Sequence, residues 1–480
     1  MPRRSSPPCY LILLLSGFAG AMGWGIRGQY GHETGAMIAG VLVALVLVFL
    51  FCPRLQSLQA ARAVALMTLG VSFGGSMTYG QTVGLTHDAP LIGNHAALAW
   101  GLLGLFLKGG IWIGFAGLFL GIGLTDKRYT AWELTALLCG ATVLLLVGQQ
   151  LINRPFDPDA RLLPRFYFSD HWRWEPDSEL KPRRECWGGL LVALLGMFTY
   201  VALRKRDTLA RQLTLWGFLA GGIGFAGGQC VQAAHAWFPS FFDDGFLSPI
   251  AAHINWWNLM ETTFGFLFGS ILAWGLWRNQ HHLKPSNNTP EITLTPWLEA
   301  GLLALHIAVL VSWNFLSIEK LDRFADPAIT MGILPILGIM AGRWWPYLFV
   351  LPVVAIPIAG KTFRELGLRE DVLPPMAAAC IYLIIPLIFL FTFACHHAQR
   401  PNDHAHPFLR WSLLLAVWTY LLLNTGFFRY PWPWEPWTNR TLHQLSFVVC
   451  AIGLTLAALL LPSHTNPLKR QRPVLPWENP

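Results

Sequence analysis

The sequence predicts an all-α polytopic membrane protein with about fourteen transmembrane helices, thirteen at least and fifteen at most. Of its 480 residues, 54% are hydrophobic and only 12% charged, about half the charge of an ordinary soluble domain. Apolar runs long enough to cross a hydrocarbon core of about 30 Å recur from residue 9 to residue 461. The 34 Lys and Arg against 26 Asp and Glu lie between those runs rather than in one patch. They therefore set topology, and no nucleic-acid partner is expected.

In chain order the spans read 9–27, 34–52, 62–81, 96–124, 131–151, 186–203, 209–229, 256–277, 296–317, 328–342, 345–360, 374–395, 410–428 and 442–461. Gly342, Pro346, Pro352 and Pro357 mark the two around Arg343 as candidates for broken or re-entrant segments. Pro2-Arg3-Arg4 ahead of Leu11–Ala21 imitates a signal peptide. Its glycine pattern continues to Gly28-Gln29 and returns later in the chain, so the first run is read as a span. With the N-terminus cytoplasmic, inner loops receive Arg54, Arg62, Lys127, Arg128, Arg204, Lys205, Arg206, Arg211, Arg278, Lys284, Arg400 and Arg410. Outer loops 82–94 and 236–254 carry no Lys or Arg, whereas 361–372 and 153–185 are charged but locally balanced. Both termini are then cytoplasmic, in a plasma or bacterial inner membrane. The eight Cys form no CxxC pair and lie mostly in apolar runs, which points to packing thiols, with no metal site and no cofactor.

The first eight spans suggest a parallel duplication of a four-helix unit. Gly28-Gln29, Gly80-Gln81, Gly148-Gln149 and Gly228-Gln229 all end odd-numbered spans. Laid on 222–235 at an offset of 148, residues 74–87 match at Gly74, Gly80, Gln81, Val83 and His87. Units follow at 1–130, at 131–278 with an outer insertion at 153–185, and at 296–461 with six helices. The stretch 279–295 is a cytoplasmic linker and 462–480 a basic tail beside anionic lipid.

Ionisable and amide groups inside apolar runs must be offset by partners, so they are the candidate site residues. Arg27, Gln29, His32 and Glu33 cluster at the end of the first span. Arg27 suits a carboxylate or phosphate, while His32 or Glu33 suits proton exchange; a local Arg27–Glu33 pair is the structural alternative. Lys108 lies deep in span 4. Asn258, Glu261 and Thr262 share one helical face in span 8, and Glu261 is a candidate partner for Lys108. The amides of Gln29, Gln81, Gln149, Gln229 and Asn258 are expected to line a polar cavity and bind solute. His32, Glu33, His87, Lys108, His235 and Glu261 are expected to carry protons or gate. Trp100, Trp256 and Trp257 read as interfacial belt, and the aromatic stretches 166–175 and 428–437 as surfaces flat at the headgroups or as a lid.

The expected function is secondary transport of a small polar or anionic solute, coupled to protons. No nucleotide-binding loop occurs, which argues against a primary pump. The alternative is a membrane-embedded transferase acting on a lipid-linked substrate at the outer face, with Glu33, His32 or His87 as base. The lipid bilayer and a small-molecule solute are the expected partners.

Overall fold

Pro7 and Pro8 lack amide donors, and the first helix, α1 (Cys9–Arg27), begins directly after them. The computed structural model describes residues 7–31, 33–52, 55–283, 295–315, 349–370, 372–400, 403–429 and 436–461. Expected features at His32, 328–342 and 462–480 lie outside the described residues, as do most of the linker, part of the 428–437 stretch and the side chain of Glu33.

The described residues are 78% helical and include no strand. After α1 come α2 (Glu33–Phe51), α3 (Ser57–Gly74), α4 (Gly80–His87), α5 (His95–Leu124) and α6 (Ala131–Ile152). Then follow α7 (Trp187–Thr199), which runs on as a π-helical turn to Arg204, and α8 (Thr208–Trp237). Two short helices, α9 (Pro239–Asp243) and α10 (Ser248–Ala251), lead into α11 (Trp256–Arg278). Beyond them stand α12 (Pro296–Phe315), α13 (Val354–Arg364), α14 (Pro375–Ala398), α15 (Ala405–Phe427) and α16 (Thr441–Leu460). Nine helices among the described residues are long and apolar enough to cross a membrane, which makes this a multi-pass membrane protein. The starts have local causes: Asn94, Thr130, Asp207 and Asn255 each cap a helix by accepting from a backbone N–H in its first turn.

One predicted span is discontinuous. The run read at 62–81 ends as α3 at Gly74, and α4 restarts at Gly80. Between them lie Gly75, Ser76, Met77, Thr78 and Tyr79. Paired glycines remove the local preference for helix, and Ser and Thr compete for backbone hydrogen bonds. Trp112 of α5 fills the gap, donating its indole N–H to the Val71 carbonyl at 2.7 Å.

Helices α1, α2, α3, α5, α8 and α11 pack successively and close into a ring, α11 returning to α1. Its centre is solid: Trp24, Trp112, Phe225, Phe264 and Phe268 are fully buried, with Trp24 edge-on to Trp112 at 4.9 Å and to Phe264 at 4.4 Å. Backbones touch at Gly20 with Gly265 and at Gly109 with Gly221, where a Cβ on either partner would run into the facing carbonyl. In lipid such close packing is what holds helices together. Helix α2 is apolar all round and buried nearly throughout, because α15 covers the ring there. Helix α6 packs on α7 outside the ring and shows Val143, Leu146 and Leu151 on its outer face.

Candidate functional site

Arg27 is the last residue of α1 and is only 2% exposed. Its side chain enters a box of rings, with the guanidinium carbon 5.0 Å from Trp24, 5.3 Å from Tyr79 and 5.6 Å from Trp112. Trp24 is there because it precedes Arg27 by three residues and so shares its face. Arg27 Nη2 donates to Glu261 Oε1 at 2.9 Å and to the Tyr79 hydroxyl. Glu261, also 2% exposed, receives further hydrogen bonds from the Trp257 indole and the Asn258 amide. Asn258 Nδ2 also donates to the Gly25 carbonyl at 2.7 Å, which ties α11 to the end of α1. A Cβ at Gly28 would stand 2.8 Å from Glu261 Oε2, so the glycine makes room for the carboxylate.

A second buried pair lies on the other side of the helix break. Lys108 Nζ donates to Glu185 Oε1 at 2.5 Å, to Thr82 Oγ1 and Ser169 Oγ at 2.7 Å, and to the Thr78 carbonyl at 2.9 Å. Glu185 Oε2 accepts from the Phe168 backbone N–H at 3.2 Å. Lys108 and Glu185 are 1% and 3% exposed. Burial pushes the Glu185 carboxyl above the usual carboxylate range, and the Lys108 ammonium opposes that rise. Burial likewise raises Asp170, against a hydrogen bond from the Trp172 N–H at 2.9 Å.

The break itself joins the pairs. Thr78 supplies a carbonyl to Lys108 and Tyr79 a hydroxyl to Arg27, so two consecutive non-helical residues touch both cations. Around them are buried polar atoms with no hydrogen-bond partner: Arg27 Nε, Ser72 Oγ, Ser76 Oγ, Gln81 Oε1 and Gln229 Oε1. Native interiors hold few such atoms, and each is a place where a polar ligand or water would find a partner.

Several expectations change with this geometry. Lys108 pairs with Glu185, not with Glu261; Glu185 is one of seven acidic residues in the loop 153–185, read from sequence only as locally charge-balanced. That loop is a wedge: Tyr167, Phe168, Ser169 and Asp170 are 1–2% exposed, and Phe168 lies between Trp100 at 4.6 Å and Trp187 at 5.3 Å. The 166–175 stretch therefore caps the bundle instead of lying flat. Trp257 belongs to the site wall, stacked on Tyr79 at 6.3 Å, rather than to an interfacial belt alone.

Of the glutamines, Gln229 is fully buried and donates to Thr86 Oγ1 at 2.6 Å, while Gln81 follows Gly80 in the first turn of α4. Gln29 offers its backbone carbonyl to Lys361. Gln149, on peripheral α6, is not brought to the others. His87 and His235 are partly exposed: His87 Nδ1 donates to the Val83 carbonyl at 2.9 Å, and His235 stacks on Trp256 at 4.1 Å. No group of metal-ligating side chains occurs among the described residues.

Fold and site together define a multi-pass helical membrane protein with two buried ion pairs joined by an interrupted helix. No protein-family model matches the chain, and neither curated proteins nor solved structures give a significant match.

Lys108→Met leaves Glu185 buried without its cation, which costs about 3–5 kcal/mol at neutral pH. The sign of the pH response follows from the direction of the Glu185 shift. A carboxyl whose folded-state pKa is raised adds stability below its unfolded value and loses it as pH rises through the folded one. The Lys108→Met protein is therefore expected to gain Tm between about pH 8 and about pH 5, measured by thermal unfolding in detergent. Adding Glu185→Leu should remove that pH dependence.

Proposed function

We propose that this protein is a secondary transporter in which a small anionic solute competes with Glu261 for Arg27, and a proton on Glu261 releases the guanidinium to take it. The observation that carries this reading is the interruption at 75–79, whose Thr78 and Tyr79 touch both buried cations. Transporter sites use discontinuous helices of this kind, because irregular backbone inside a membrane is tolerated only against protein or a polar cavity. The unmatched Arg27 Nε is a spare donor for an anion whose other oxygens meet Nη. The expected symport direction follows the proton: protonation of Glu261 outside, solute capture, then release of both inside.

The membrane frame belongs to the same proposal. Fourteen spans and cytoplasmic termini are part of it, and the common side of the basic loops is supported by Lys205 reaching the Arg128 carbonyl at 2.6 Å and Arg410 the Leu461 carbonyl at 3.3 Å. The duplication is supported by α8: residues 57–87 shifted by 148 become 205–235, against Thr208–Trp237. In that reading the first copy is broken and the second continuous.

A thermal-shift screen of small carboxylates, phosphates and neutral analogues tests the binding step. An anion should raise the Tm of the wild type, more at about pH 5 than at about pH 8, because ligand adds stability in proportion to occupancy. Tyr79→Phe removes one hydroxyl bond worth about 1 kcal/mol, and a several-fold change in apparent affinity is the expected result. Stabilisation by neutral analogues alone would contradict the proposal.

A further inference from the structure

Helices α14 and α15 enclose an apolar groove of about 1060 Å³, at the upper limit of the roughly 300–1,000 Å³ of small-molecule pockets. Ile385, Phe389, Leu415, Trp418 and Leu422 line its walls, and Arg429 stands at one end. The groove follows α15 from Trp411 to Arg429, about 27 Å at 1.5 Å per residue. That is nearly the whole hydrocarbon thickness of about 30 Å, so a lipid tail confined to one leaflet would fill only half of it.

The mouth is cationic in a way that packing does not require. Arg429 follows α15 in the left-handed region, φ 49°, a position where glycine or asparagine is the ordinary helix stop. It pairs with Glu370, and both side chains are nearly half exposed. The Arg440 guanidinium lies 4.8 Å over the neighbouring Phe428 ring, and Lys361 sits 6.0 Å over Phe427. Among the described residues near this end, Lys361, Arg369, Arg429 and Arg440 outnumber the carboxylates Glu365 and Glu370. Chain length and charge both select the occupant.

We propose that the groove binds a long-chain isoprenoid phosphate, its tail running along α15 past the bilayer midplane and its phosphate held at Arg429. The groove itself is lined by neither Arg27 nor Glu261, although Lys361 at its rim reaches the Gln29 carbonyl, and lipid binding there is read independently of transport. Native mass spectrometry of the full-length detergent-purified protein with undecaprenyl phosphate, the uncharged polyprenol and phosphatidylglycerol tests it. Undecaprenyl phosphate should be retained at least tenfold more tightly than either competitor.

Arg429→Gly keeps a residue suited to the left-handed backbone and removes only the cation. It should abolish the preference for phosphate over polyprenol without lowering Tm. Thr419→Trp, or Leu422→Trp if the first fails to fold, should fill the groove and weaken both isoprenoids. Equal retention of phosphatidylglycerol would make this an ordinary lipid-facing groove and overturn the proposal, as would an Arg429→Gly protein that keeps the full preference.

Discussion

Replacing Glu261 by alanine is expected to cost the folded protein about 3–5 kcal/mol, because it leaves the Arg27 guanidinium buried without its counter-charge. Arg27 is 2% exposed and has no path to water by a small rearrangement, since Trp24, Tyr79 and Trp112 surround it. Arg27→Met with Glu261→Leu removes both charges at once. Replacing a whole buried pair by apolar residues of similar size is often neutral or stabilising, so the double variant should recover most of the lost Tm. Recovery of fold without recovery of activity separates a working pair from a structural one. If the double variant regained activity as well, the pair would serve only to fix the helices.

Gly221→Leu is expected to prevent assembly of the ring. A side chain there enters the carbonyl of Gly109 on α5, and the contact is backbone to backbone, so no rotamer change relieves it. Overpacking a well-packed interior usually costs about 1–3 kcal/mol. Here the ring gives no alternative to separating α5 from α8, and the cost should exceed that range. The readout is the monodisperse fraction by size exclusion in detergent. Gly140→Ala, on α6 with open space beside its Cα, is the control and should leave that fraction unchanged. A well-behaved Gly221→Leu protein would show that the α5–α8 contact is adjustable.

Much of this architecture was readable from the residues, for a physical reason. Apolar runs and their charged ends are local properties of the chain, and most described helices fall within a few residues of the expected runs, the exceptions being 62–81, which is broken, and 209–229, which continues to Trp237. Buried ionisable groups were readable too, since Arg27, Lys108 and Glu261 each stand out inside apolar sequence. Their pairing was not. Arg27 and Glu261 are 234 residues apart, and Lys108 and Glu185 are 77 apart, so only the ring closure decides who meets whom. Glu185 gave one faint signal, a carboxylate directly before the Cys186-Trp187 start of an apolar run. Tyr79 gave none beyond its place after Gly74-Gly75, a pair that reads equally well as tight helix packing. The glutamine series misled at Gln149, because equal depth in sequence does not give equal position around a ring.

Solute uptake into proteoliposomes under an imposed pH gradient, wild type against Glu261→Gln, tests the central claim most directly. The expected result is anion uptake that follows the proton gradient in the wild type. In Glu261→Gln, whose amide cannot titrate, uptake should lose its dependence on the gradient while the protein stays folded. Gradient-driven uptake of undiminished rate by the folded Glu261→Gln protein would contradict the coupling role of the Arg27–Glu261 pair.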